Sequence, residues 1–153
     1  MKTKKDKIIE LFNLIDIKSL PNKKFNLVFE IPKSETTALK KHSRKLETTE
    51  FDCTLFDSID IFTSIDGYDV ETIETVAFTK MSPFNTDSIV SFSNKLVDIA
   101  GTDFKNRGIL QEIEINQIRD GLWEGRYWNK ESNDISMLIE INANELTFRF
   151  LLK

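Results

Sequence analysis

The chain has 153 residues, enough for one domain with a hydrophobic core, and carries a net charge of -4 at pH 7. Hydrophobic residues make up 40% of it, with only five glycines and three prolines, which excludes a disordered or low-complexity chain. The single cysteine, Cys53, excludes an internal disulfide framework and a four-cysteine zinc site, and a reducing compartment is the simplest fit.

Residues 6–17 have the apolar spacing of an amphipathic helix, and Pro21 lies beyond its end. Four lysines precede the apolar run, as in a secretory signal, but polar residues interrupt that run and no small-residue cleavage site follows before Pro21. No segment approaches the roughly 20 apolar residues that span a bilayer. We therefore expect a cytoplasmic protein that does not bind a membrane.

The alternation over residues 25–31 predicts a half-buried strand that ends at Pro32. Residues 33–50 are polar and follow neither period, which favours a weak helix or a loop. This segment contains the only histidine, His42, within a short basic cluster. We expect His42 to be exposed rather than catalytic, and Cys53 to belong to the core. We expect the basic cluster to face the acidic segment that follows it rather than to bind nucleic acid directly.

Residues 46–79 contain nine carboxylates and not one lysine or arginine. Residues 1–45, by contrast, contain twelve Lys and Arg against five Asp and Glu. This asymmetry bears on the electric field and on partners rather than on the fold. The nine carboxylates are Glu47, Glu50, Asp52, Asp57, Asp60, Asp66, Asp69, Glu71 and Glu74.

The acidic segment also alternates, and Asp66-Gly67 divides it. An Asp-Gly pair between alternating runs favours a two-residue hairpin turn, because both turn residues need a positive φ. We therefore expect residues 53–65 to pair with residues 68–79. The apolar side of the first strand would hold Cys53, Leu55, Ile59, Ile61 and Ile65. The outer side would display Asp60, Ser64, Asp69 and Glu71 together, and their charges would need screening.

Residues 85–100 form the strongest predicted helix, with Asn85 or Thr86 as its N-cap and Gly101 at its C-terminus. Two alternating runs, 135–141 and 146–152, predict a hairpin in which Ile141 pairs with Leu146. Between these elements, Asp120-Gly121 resembles another hairpin turn, yet its flanking faces do not match. Either a bulge or a helical turn over residues 116–120 would resolve the conflict.

A further strand would run through Trp123, Gly125 and Tyr127, with those three residues facing the core. If Tyr127 pairs with Ile135, Gly125 lies beside large side chains that need room. The outer face of this C-terminal sheet would then carry Trp128, Leu138 and Leu151 among polar residues. Such a patch is either an interface or the surface on which the N-terminal helix packs, and we favour the helix because its own apolar stripe must be buried.

These patterns predict a single α+β domain spanning residues 1–153. It would contain a mostly antiparallel sheet of about seven strands, one helix packed on the sheet and an N-terminal amphipathic helix, in the rough order αβββαββββ. P-loop, dinucleotide-binding, nucleophile-elbow and HExxH motifs are all absent from the sequence, so no cofactor is predicted.

The function that this sequence favours is non-catalytic protein binding. A small acidic chain suits an inhibitor or immunity-type protein that neutralises a basic partner, such as a toxin domain, through an acidic face. The predicted partner-binding residues are Asp57, Asp60, Asp66, Asp69, Glu71, Glu74 and Trp128. One alternative is a small carboxylate-dependent hydrolase, perhaps metal-assisted through Asp66, Asp69 and Glu71. Another is a homo-oligomeric structural protein that associates through Trp128, Leu138 and Leu151.

Overall fold

A computed structural model describes residues 2–12, 25–34, 37–46, 55–68 and 70–152. Seven antiparallel strands form one sheet in the order β1-β2-β3-β4-β7-β6-β5, and four helices accompany it. The α+β class, the seven strands and the N-terminal helix are as predicted. No helix in the described residues is both long enough and apolar enough to span a membrane.

The elements are α1 (Lys4–Leu11), β1 (Asn26–Pro32), β2 (Ala38–Lys45), β3 (Ser58–Ile65), β4 (Glu71–Met81), α2 (Thr86–Ala100), α3 (Glu112–Arg119), β5 (Arg126–Trp128), α4 (Lys130–Asn133), β6 (Met137–Asn142) and β7 (Glu145–Leu151).

The predicted order of elements is wrong at three places, of which one is the short helix α4 between β5 and β6. Ala38–Lys45 is strand β2, although its polar sequence favoured a weak helix or a loop. It pairs with a strand on each side, so sheet hydrogen bonds stabilise a segment that lacks an alternating pattern. The second difference is α3, which occupies the region where the turn at Asp120-Gly121 was in conflict. The helical alternative is therefore confirmed there, and four strands rather than three precede α2.

Helix α2 confirms its predicted capping signals. The Asn85 side chain accepts a hydrogen bond from the Ser88 amide, and Gly101 follows the helix with a φ of 87°. Its stripe of Ile89, Phe92 and Leu96 is buried in the core. Helix α1 begins with a capping box between Thr3 and Asp6.

Contacts between aromatic rings attach α1 to the core. Phe12, just after α1, stacks on Phe78 of β4 with ring centroids 3.9 Å apart, and also contacts Phe148 of β7 and Phe92 of α2. Helix α1 therefore packs on the same side of the sheet as α2. The expectation that α1 covers the outer face of the C-terminal strands is wrong, because its apolar stripe is buried against β4, β7 and α2 instead.

The four helices all lie on one side of the sheet, which we call the helix-facing side. On the other side, the neighbouring strands β4, β7, β6 and β5 present Thr75, Leu151, Arg149, Leu138 and Tyr127. We call this set of residues the open face. No helix in the described part of the chain packs on it.

Candidate functional site

The acidic hairpin forms, but not with the predicted turn. Ile65 pairs with Glu71, so five residues connect the strands rather than the two of a tight Asp-Gly turn. The Asp66 carboxylate closes this longer loop by accepting hydrogen bonds from the Tyr68 and Val70 amides at 2.8 and 3.0 Å. A bulge between Phe62 and Thr63 shifts the register again.

The shift of three residues at the turn reverses the face on which residues 71–73 of β4 lie, because strand side chains alternate, and the bulge restores the predicted face beyond them. Asp60 lies opposite Ala77 on the side of the sheet that includes the open face. Glu71 lies on the helix-facing side with His42 and Thr63. The prediction that Asp60 and Glu71 share an outer face is therefore wrong. Asp69, Cys53 and residues 13–17 of the predicted N-terminal helix lie outside the described residues.

The basic strand β2 neutralises part of the acidic hairpin. Ser43 donates a hydrogen bond to Asp60 at 2.6 Å, and the Lys41 ammonium lies 3.8 Å from the same carboxylate. The expectation that the basic cluster faces the acidic segment is confirmed by the pairing of β2 with β3. Asp60 is thus not a freely displayed charge.

His42 is buried rather than exposed, at 6% of its full accessibility. Its Nε2 atom lies 3.1 Å from Glu71 Oε1, which also accepts a 2.5 Å hydrogen bond from Thr63. The prediction of an exposed His42 is wrong because His42 pairs with Ile61, whose side of β3 faces the core. This cluster satisfies polar groups under the helix-facing side, and its burial keeps the imidazole away from a substrate.

The remaining predicted acidic residues do not converge. Asp57 and Asp66 are exposed but lie at opposite ends of β3, about 30 Å apart along an extended strand. Glu74 accepts a hydrogen bond from Ser64 at 2.8 Å. Among the described residues, no group of three His, Cys, Asp or Glu side chains could hold a metal ion.

Trp128 is buried completely, so its predicted exposure is wrong. Tyr127 pairs with Leu138 rather than with Ile135, an odd shift of three residues that turns Trp128 inward and Tyr127 outward. The short helix α4 and its left-handed C-cap, Asp134, take up the extra residues. Trp128 donates from Nε1 to the Gly101 carbonyl at 2.9 Å and so fixes β5 to the end of α2.

The same shift gives the open face its composition. A groove of about 320 Å³ follows it, lined by Thr75, Tyr127, Ser136, Met137, Leu138, Arg149, Phe150 and Leu151. Tyr127 and Leu151 are 43% and 41% exposed, and the ring of Phe104, which is 60% exposed, lies 5.8 Å from that of Tyr127. Leu138 and Leu151 were predicted to face outward, and they do.

Sequence reasoning missed a large buried polar cluster among the described residues. Arg126, 1% exposed, donates to both oxygens of Glu114 at 2.9 and 2.6 Å, and Trp123 donates to the same carboxylate at 3.1 Å. Arg107 joins the cluster through a pair of hydrogen bonds to Asp103 at 3.0 and 2.7 Å. This network fastens α3 and the loop before it to β5.

Electrostatics in this cluster favour the charged forms. Burial raises the pKa of Glu114, but hydrogen bonds from Arg126 and Trp123 and the charges of Arg126 and Arg107 outweigh burial and lower it. Burial also lowers the pKa of Arg107, yet the hydrogen bond and charge of Asp103 raise it overall. A sequence signal existed only in part, because Arg126 lies between Gly125 and Tyr127, which were predicted to face the core, and the alternation therefore assigned Arg126 to the outer face.

Comparison of the chain with family models, with curated proteins and with solved structures found no match.

Proposed function

We propose that this protein is a non-catalytic protein-binding module and that it binds its partner on the open face. The observation that supports this is the exposed apolar surface of Tyr127, Leu138 and Leu151 around a groove, on the side of the sheet that no described helix covers. Surfaces of this kind, in which aromatic and aliphatic side chains surround an arginine, are typical of protein interfaces.

The pattern of apolar residues along the strands of the open face strengthens this proposal. An antiparallel sheet with one side in water usually alternates between apolar inward and polar outward residues. Strand β7 follows that rule at Thr147 and Arg149, but Leu151 and Leu138, which lies diagonally across the sheet from it, break it at the groove. Leu138 is half-buried and Leu151 is 41% exposed, so a partner on this face would remove further apolar surface from water.

The test is a pair of charge insertions on the open face, Leu138→Glu with Leu151→Glu. A photo-crosslinking residue placed at position 151 should identify a partner, and the purified pair should then be measured by calorimetry. We expect the double variant to weaken binding by about a hundredfold or more, because it desolvates two charges in an apolar interface.

The matched control is Ile113→Glu with Leu122→Glu, two apolar residues that are 71% and 78% exposed elsewhere on the surface. These changes should leave binding intact. Equal affinity of the two double variants would disprove the open face as the interface. Sedimentation of the wild type will show whether the partner is a second copy of the chain, the oligomeric alternative.

A second candidate is the inhibitor or immunity-type protein that neutralises a basic partner, such as a toxin domain. The observation that favours it is that Asp57 and Asp66 are exposed and form no ion pair with a described residue. Neutralising both, as Asp57→Asn with Asp66→Asn, should slow association and flatten its dependence on salt. A partner whose association rate is the same for this variant and for the wild type would count against a basic partner.

A further inference from the structure

The groove on the open face has an unusual distribution of charge. Among the described residues that line it, Arg149 is the one charged residue and none is a carboxylate. Hydroxyl groups of Thr75, Tyr127 and Ser136 supply its other polar side-chain atoms, and Leu138 and Leu151 supply much of its apolar wall. The described lining of the groove therefore carries a positive charge, although the chain as a whole has a net charge of -4 and Glu140 lies further along the same face of β6.

Arg149 differs from the other arginines in its surroundings. Arg107 and Arg126 bind Asp103 and Glu114, and Arg119 donates to Asn116 at 2.8 Å. Arg149 is exposed and forms no hydrogen bond or ion pair with a described residue. Its neighbours across the sheet are Ala77 and Leu138, neither of which offers an acceptor side chain. The guanidinium thus retains its full set of donors for a ligand.

The spacing of side chains along β7 adds a second requirement for the ligand. Arg149 and Leu151 are two residues apart on the same face of the strand, a distance of roughly 6.7 Å. An extended segment lying along β7 presents its own side chains with the same repeat. A carboxylate on one residue would therefore meet Arg149 when an apolar side chain two residues away meets the surface of Leu151 and Leu138.

We propose that this groove binds an extended protein segment that carries an acidic residue two positions from an aliphatic or aromatic one. The proposal rests on the proposed function, since it names the chemistry of the partner at the same face. Arginine binds carboxylates through two parallel hydrogen bonds, and the apolar walls beside it reduce the competition from water. Because the chain is acidic overall, long-range attraction does not assist this ligand, and its association should depend only weakly on salt.

The experiment is selection of random displayed peptides of about twelve residues, long enough to cross the groove as an extended strand. Selection is carried out in parallel on the wild type, on Arg149→Gln and on the control Arg119→Gln. We expect wild type and the control to enrich peptides with an acidic residue two positions from an apolar one. The same synthetic peptides should bind Arg149→Gln about tenfold more weakly or worse, because a charged hydrogen-bonded pair is lost.

Binding is located by amide chemical shifts in the labelled protein, which should change at Tyr127, Leu138, Arg149 and Leu151. Replacing the peptide's acidic residue by its amide should weaken binding as much as Arg149→Gln does. Both arginine variants should melt at the wild-type temperature, since both residues are exposed.

Two results would overturn the inference. If the enriched peptides bind the groove but tolerate loss of either charge, the acidic requirement is wrong while protein binding on the open face stands. If no peptide is enriched that shifts the groove amides, the groove is not a peptide site, and both this inference and the open-face proposal lose their support.

Discussion

Two nitrogen-bearing side chains, Arg126 and His42, lie on the helix-facing side of the same sheet in different surroundings. Arg126 on β5 is almost completely buried and donates two hydrogen bonds to Glu114, which also accepts one from Trp123, and a third to the Arg107 carbonyl. His42 on β2 has one hydrogen bond to Glu71, whose side chain remains 24% exposed.

The difference shows what each side chain requires of its surroundings. A guanidinium is always charged, so its burial demands a carboxylate and a complete set of acceptors. An imidazole can be neutral, and one acceptor beside partial solvent is enough for it. The β5 region should therefore tolerate almost no change, whereas the β2 region should tolerate several.

The largest effect is expected for Arg126→Met. The variant leaves Glu114 buried at 6% exposure without its guanidinium, which should cost about 3–5 kcal/mol of unfolding free energy. Urea denaturation followed by circular dichroism would measure it. The control Arg119→Met, on an exposed arginine of α3, should change stability by less than about 0.5 kcal/mol. Similar losses of stability for the two variants would refute the claim that β5 tolerates change less well than an exposed position.

A second prediction concerns Gly125, directly before Arg126. Its φ is +95°, and an added Cβ would lie 2.0 Å from the Ile139 carbonyl oxygen, against backbone that cannot move aside easily. The backbone of β6 requires a glycine here. The sequence pattern had suggested instead that the large side chains of Met137 and Phe150 required it. Gly125→Ala should therefore cost about 3 kcal/mol. Gly108→Ala, where nothing lies near the added atom, is the control and should be nearly neutral.

The third prediction is a pH dependence. The folded pKa of Glu114 lies below its ordinary value, so the unfolded chain takes up a proton first as the pH falls. The stability that Glu114 contributes is complete above the ordinary carboxyl pKa and is lost as the pH falls through the folded value. Glu114→Gln should cost about 2 kcal/mol at pH 7 and progressively less in acid. A cost that does not change with pH would show that the carboxylate's charge is not what matters.

On the β2 side a smaller effect is expected. Glu71→Gln keeps one acceptor oxygen for Thr63 and His42, so the loss should be about 1 kcal/mol. Thermal denaturation beside Asp57→Asn, an exposed control, would resolve it. A loss as large as that of Arg126→Met would remove the contrast between the two regions.

The smallest effect is expected in the loop between β3 and β4. Asp66→Ala removes the acceptor of two backbone amides and should cost about 0.5–1 kcal/mol. Asp66→Asn retains an oxygen at that position and should restore most of the loss. If the asparagine variant is as unstable as the alanine variant, the carboxylate's hydrogen bonds do not hold this loop.

Local signals predicted the elements whose stability is local. The caps of α2 at Asn85 and Gly101 were read correctly, because capping depends on neighbouring residues alone. The hairpin of β6 and β7 was also correct, with Ile141 opposite Leu146. Its turn at Ala143-Asn144 has the two positive φ angles that had been expected at Asp66-Gly67.

Registers and faces could not be derived in the same way. A single odd shift placed Glu71 on the helix-facing side, and another turned Trp128 inward and Tyr127 outward. Both shifts depend on the length of a connection, which in turn depends on hydrogen bonds such as those of Asp66 or on the contacts of α4. The first shift removed Glu71 from the predicted acidic face, and the second placed Tyr127 on the open face.

The amino-acid sequence by itself determined the class of fold, the helix α2, the hairpin of β6 and β7 and the separation of basic from acidic segments, because alternation, helical spacing and charge are properties of neighbouring residues. Only the tertiary structure decided which side each charge occupies, why Arg126 and His42 are buried, and that Arg149 remains without an acceptor beside Leu138 and Leu151. The physical reason is that a strand has two faces, and pairing with distant strands decides which of them meets the core.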